Sequence, residues 1–95
     1  MNISGKYVIK GKDVIHKEIE SRSVLLNLDN GNYYTLNETG TFIWSLIDGK
    51  NDIQHIIGRL VERFAVERDE ASGDVETLVT DLMKENLIEL HDEPE

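Results

Sequence analysis

Two short runs rich in β-branched, aromatic and aliphatic residues, Ser23 to Asp29 (SVLLNLD) and Asn32 to Leu36 (NYYTL), meet at an Asn30-Gly31 dipeptide. No other feature limits the fold of this chain as much. Asn and Gly both tolerate the positive φ of a type I′ turn, so the dipeptide predicts a two-residue hairpin loop. Such a loop sets Leu28 opposite Tyr33, Leu26 opposite Thr35 and Leu25 opposite Leu36. Asp29 with Asn32, Asn27 with Tyr34, and Leu25 with Leu36 then form hydrogen-bonded pairs. The backbone groups of Tyr33 and Thr35 point away from the hairpin. Both faces of this ribbon carry apolar groups; a core covers one, and that core alone does not explain the other. Side chains alternate along a strand, so one of Tyr33 and Tyr34 leaves the core face. On an edge strand that ring is open to a ligand.

Ahead of the hairpin, Val14 to Glu20 reads as a strand and Tyr7–Lys10 as a weaker one before the Gly11–Lys12–Asp13 turn. Three helices follow. Asn37 is suited to cap the first, Glu38 to Asp48, with Phe42, Ile43, Leu46 and Ile47 at helical spacing and Gly49 as its stop. Asp52 caps the second, Ile53 to Phe64, where Ile53, Ile56, Ile57, Leu60, Val61 and Phe64 form one apolar stripe. The third runs from Arg68 to Glu85 with Ala71, Val75, Leu78, Val79 and Leu82 inward, and Asn86 ends it in the left-handed conformation. Leu87–Leu90 docks back. Gly58 and Gly73 inside helices each cost about 1 kcal/mol relative to Ala, which reads first as close packing of one element on another. The alternative is that Gly73 thins the wall of a groove. Trp44 belongs at the edge of the core.

A β-ribbon followed by three compact helices outlines a winged-helix-like α+β domain. A chain of 95 residues has room for one such domain, expected over 1–90, with a frayed acidic tail at 91–95. With no Cys, disulfides, thiolate catalysis and Cys-based metal sites are excluded. The segment MNISGKYVIK is not a basic stretch followed by an apolar run, and no apolar run reaches membrane length, so a cytoplasmic protein is expected. The formal net charge of −9 lies entirely in the last third, because acids and bases balance up to Val66. From Glu67 onward, eleven acids face only Arg68 and Lys84, a surface that repels nucleic acid and anionic membrane and attracts a basic partner.

Catalytic chemistry finds little support. His16, His55 and His91 lie on a strand, a helix and the tail, with no metal-ligand spacing among them. No Ser sits in a G-x-S-x-G turn, and the glycines form neither a dinucleotide fingerprint nor a P-loop. The reading is a non-enzyme without cofactor or metal.

The run SVLLNLDNGNYYTLNETGTFIWSLIDG, the helix after it, and the spacing to DVETLVTDLMKENLIEL resemble the PqqD-like family. The likeness spans Val14 to Leu90. Its most specific parts are Tyr33-Tyr34-x-Leu36-Asn37-Glu38-x-Gly40, Trp44-x-x-x-Asp48-Gly49, and Asp74 opening an aliphatic run toward Leu87-Ile88. The resemblance implies a three-stranded antiparallel sheet packed on three helices. It also implies recognition of the leader segment of a ribosomally made, post-translationally modified peptide, bound as an added strand between the third strand of that sheet and the third helix. Carried over by position, the strand side is Tyr33, Tyr34, Thr35 and Leu36. The helix side is Asp74, Val75, Leu78 and Leu82, with Asp81 and Glu85 on the rim. The implied partners are a precursor peptide and a maturation enzyme such as a radical-SAM protein, a cyclase or a protease. The expected state is a monomer or a weak dimer through the edge strand. Two other readings stand beside this one. The first is an oligomerisation or scaffold domain, since an exposed edge can pair with a second copy. The second is a winged-helix DNA-binding regulator, which shares the outline but against which the acidic third helix argues.

Overall fold

The computed structural model describes Ile3 and residues 5–95; of the domain expected over 1–90, Met1, Asn2 and Ser4 lie outside the described residues. Among the described residues five strands and three helices occur in the order β1 (Tyr7–Lys10), β2 (Val14–Ile19), β3 (Arg22–Asn27), β4 (Tyr33–Leu36), α1 (Glu38–Ser45), α2 (Ile53–Phe64), α3 (Arg68–Lys84) and β5 (Ile88–His91). Strands β2, β3 and β4 form one antiparallel sheet in that order, with β4 at an edge. The α+β class and the packing of this sheet on three helices agree with the sequence reading.

The hairpin register differs from it. Ser23 pairs with Leu36, Val24 with Thr35, Leu25 with Tyr34 and Leu26 with Tyr33, a slip of two residues from the expected pairing. The Asn27 N–H donates to the Asn32 carbonyl at 2.9 Å and the Gly31 N–H to the Asn27 carbonyl at 2.8 Å, so a four-residue loop closes the hairpin. Asn27 is the cause. Its buried side chain accepts from the Asp29 N–H at 2.9 Å and donates to the Asn86 carbonyl at 3.2 Å, which ties the loop to the end of α3. A buried amide without partners is costly, and this register supplies them. The two-residue turn occurs instead between β2 and β3, where Ile19 pairs with Arg22 and Glu20 and Ser21 take φ of 50° and 67°. A slip of two preserves which side each residue faces.

The inner face of the sheet presents Ser23, Leu25 and Asn27 of β3 and Leu36 of β4 to the helices. Leu25 joins Ile43, Ile56, Leu60, Val79 and Leu82 in one core. Trp44 is buried there, as expected. Both predicted caps form: Asn37 accepts from the Gly40 N–H at 2.9 Å, and Asp52 from the His55 N–H at 2.8 Å. Helix α1 ends at Ser45 rather than Asp48, because Leu46 and Ile47 donate to Ile43 and Trp44 in a tightened last turn. Asn86 adopts φ 58° beyond α3, as expected.

The segment after α3 does more than dock. Strand β5 pairs antiparallel with β1, from Tyr7 with His91 to Lys10 with Ile88. It runs one residue into the expected tail, and the Glu95 N–H donates to the Gly49 carbonyl at 2.9 Å, so the C-terminal residues are held rather than frayed. Lys6 pairs with Asp92 beside them. Gly58 and Gly73 are not sites of close packing, since a Cβ at either would meet nothing within 4 Å.

Candidate functional site

Hydrogen-bond parity decides what the β4 edge exposes. The Asn27–Asn32 bond makes Leu25–Tyr34 and Ser23–Leu36 the next bonded pairs of the ladder. The backbone N–H and C=O of Tyr33 and Thr35 therefore point out of the sheet. Beside them runs α3, and between the two elements lies an open cleft of about 770 Å³. Tyr34, Thr35 and Leu36 line it from the strand, and Asp74, Thr77, Leu78 and Asp81 from the helix.

Helical geometry explains which α3 residues reach it. At about 100° per residue, positions 74, 77, 78 and 81 share one flank, while Ala71, Val75, Val79 and Leu82 share another. The second flank faces the core. Val75 and Leu82 are 0% exposed, so these two residues, expected on the helix side of the groove, belong to the interior instead. Tyr33 is 71% exposed on the opposite face of the sheet and does not line the cleft. Glu85 is half-buried at the end of α3. Of the ten expected residues, the structure thus gathers Tyr34, Thr35, Leu36, Asp74, Leu78 and Asp81. Gly73 does not line the wall.

The charged side of the cleft is organised around Tyr34. Its hydroxyl donates to the Asp81 carboxylate at 3.3 Å. Burial, then the Asp81 charge and this hydrogen bond, with a contribution from Glu85, raise the phenol above the ordinary tyrosine range. The hydroxyl bridges strand and helix as a donor. Sequence reasoning missed the other end. The cleft continues past Asn37 and Gly40 at the start of α1 and over the end of β4 to Lys17, Arg22 and Val24, which lie on the outer face of the sheet. The true β3–β4 register places Val24 beside Thr35, and the pairing of β2 with β3 adds Lys17 to the same row.

The three histidines stay apart. His16 lies edge-on to Trp44 with ring centroids 6.2 Å apart, the His55 N–H completes the α2 cap, and His91 sits by Glu89. Among the described residues no group of three or more His, Asp or Glu could hold a metal ion, and no helix is long and apolar enough to cross a membrane.

A short edge strand beside a helix, with an apolar floor and an acidic rim, defines a winged-helix-like domain built around an open groove. The family model for coenzyme PQQ synthesis protein D (PqqD) matches residues 22–88, and the chain belongs to that family. Among solved structures, it is similar to TbiB1 in complex with the TbiA(beta) leader peptide, at 26% identity and a TM-score of 0.79, covering 85% of this chain and 94% of that one. It is also similar to a lasso peptide synthetase B1 complexed with the leader peptide, at 25% identity and a TM-score of 0.73, covering 86% and 96% respectively. No curated protein sequence matches the chain.

Proposed function

We propose that this chain is a non-catalytic peptide carrier. It captures the leader segment of a ribosomally made precursor as a fourth strand on β4 and presents the remainder to a maturation enzyme, whether a radical-SAM protein, a cyclase or a protease. The observation that carries this reading is the β4 edge, with the backbone groups of Tyr33 and Thr35 turned outward along a cleft whose far wall is α3. Strand addition takes affinity from main-chain hydrogen bonds and specificity from pockets for alternate side chains, and this cleft offers both. The likeness to two proteins solved with leader peptides supports a leader peptide as the ligand.

The test is calorimetric titration with the leader of the precursor encoded beside this chain. One-to-one binding without added metal or nucleotide is expected, at micromolar affinity or better, about 8 kcal/mol. No heat, or a requirement for zinc, overturns the reading. A winged-helix DNA reader would place α3 in the major groove, where phosphate contacts need Lys and Arg. Helix α3 carries five acids against Arg68 and Lys84, so no shift of random duplex is expected in a gel at physiological salt. Micromolar duplex binding would restore the DNA reading.

A further inference from the structure

The large apolar side chains exposed among the described residues are Ile15, Ile19, Val24, Leu28 and Tyr33. Every one belongs to the outer face of the β2–β3–β4 sheet. Residues paired across strands share a face, so the register builds three rows there: Ile15–Leu26–Tyr33, Lys17–Val24–Thr35 and Ile19–Arg22. Leu28 continues the same parity, its N–H donating to the Asp13 carbonyl at 2.8 Å. Within the three strands the charged residues on this face are Lys17 and Arg22, both basic, in a chain whose net charge is −9. A contiguous apolar patch of this kind marks an interaction surface.

We infer that this outer face docks the maturation enzyme, through an apolar surface fringed with acidic groups; the inference rests on the carrier reading above. Charge chooses between this occupant and a second copy. Two copies packed face to face would bring Lys17 and Arg22 of each into one small interface. Three strands about 4.8 Å apart and some six residues long offer only about 300 Å² per partner, short of the roughly 800 Å² of a stable interface for either occupant, so a lasting contact reaches beyond this face. Continuity supplies the rest. The peptide cleft runs over the end of β4 onto Lys17, Arg22 and Val24, and an added strand would widen the sheet at Tyr33 and Thr35. Its outward side chains extend the rows, so the enzyme meets a larger surface when the carrier is loaded.

The experiment uses the purified enzyme encoded beside this chain, with binding measured by interferometry with and without leader peptide. Ile15→Glu and Leu28→Glu lie outside the cleft at positions 52% and 58% exposed, where a carboxylate stays solvated in the free protein. Each is expected to leave leader affinity, read separately by fluorescence anisotropy, within twofold. Each is expected to weaken the enzyme at least tenfold, and leader peptide is expected to strengthen the wild-type enzyme complex. Unchanged enzyme affinity in both variants overturns the inference, as does an enzyme that does not bind the wild-type chain. A wild-type dimer in sedimentation that Ile15→Glu disperses also overturns it, by giving the face to a second copy. A leader that fails to bind while the enzyme still distinguishes Ile15→Glu overturns the carrier reading and upholds the docking face.

Discussion

The three-stranded sheet has two edges, β2 and β4, and both present unpaired backbone groups to their surroundings. They differ in what stands beside them. On β2 five of six residues are exposed, and even the inward His16 and Glu18 remain open to water. On β4, Leu36 is buried, Tyr34 leans on Asp81, and α3 forms a wall across the cleft. An unpaired ladder is therefore not enough to make a receptor for a strand. In the proposed strand addition, β4 adds a floor and a wall for the alternate side chains of the incoming peptide, while the charged Lys17 and Glu18 blunt β2 against pairing.

Proline separates the two edges with the largest effects. Tyr34→Pro removes an inward N–H from the β3–β4 ladder and is expected to cost about 3 kcal/mol or more, enough to unfold a domain this small. Thr35→Pro removes only an outward N–H and is expected to retain wild-type circular dichroism. Its leader affinity is expected to fall at least fivefold, about 1 kcal/mol for the lost bond, and further where the strand no longer seats. His16→Pro is the control, because the Leu28–Asp13 bond makes His16 an outward residue of β2. It is expected to keep both fold and binding. A well-folded Thr35→Pro protein with unchanged affinity would exclude strand addition at β4; a loss in His16→Pro would move the site to the other edge.

The turn leading into β4 gives the next effect. Asn27 closes that loop and bonds to the end of α3, so it holds β4 in register opposite the helix wall. Asn27→Ala removes the hydrogen bonds to the Asp29 N–H and the Asn86 carbonyl. An expected loss of about 1–3 kcal/mol follows, readable in urea unfolding. A loss below about 0.5 kcal/mol would show that the loop keeps its register without Asn27.

These residues also mark where the sequence could and could not be read. Asn37 and Asp52 announce their helices because a cap is a local bond, satisfied within three residues. The outward parity of Tyr33 and Thr35 was legible even though the register was not, because a two-residue slip moves no side chain to the other face. The slip itself depends on Asn27 reaching carbonyls nearly sixty residues away, which no local turn rule contains. The β1–β5 pairing is hidden for the same reason, as it joins the two ends of the chain. On α3 the groove-facing Leu78 and the core-facing Val75 and Leu82 are all aliphatic, so composition cannot sort one flank from the other.

The smallest expected effect concerns charge. Asp74 and Asp81 border the β4 cleft on its helix side, and Asp81 already holds the Tyr34 hydroxyl. A leader strand lying between them and β4 is expected to carry Lys or Arg toward that rim. Exposed ion pairs are worth only about 0.2–1 kcal/mol each, and physiological salt screens beyond about 8 Å. Asp81→Lys is therefore expected to weaken leader binding a few-fold, and binding of the wild type to weaken to a similar extent between low and physiological ionic strength. Glu18→Lys makes the same charge change at the β2 edge, on a residue that does not itself line the cleft although Lys17 and Ile19 beside it do, and is expected to cost less than Asp81→Lys. Equal losses from Asp81→Lys and Glu18→Lys would reduce the rim to a diffuse field of the whole acidic chain. A loss confined to Asp81→Lys, and removed by salt, ties recognition to the one edge that has a helix beside it.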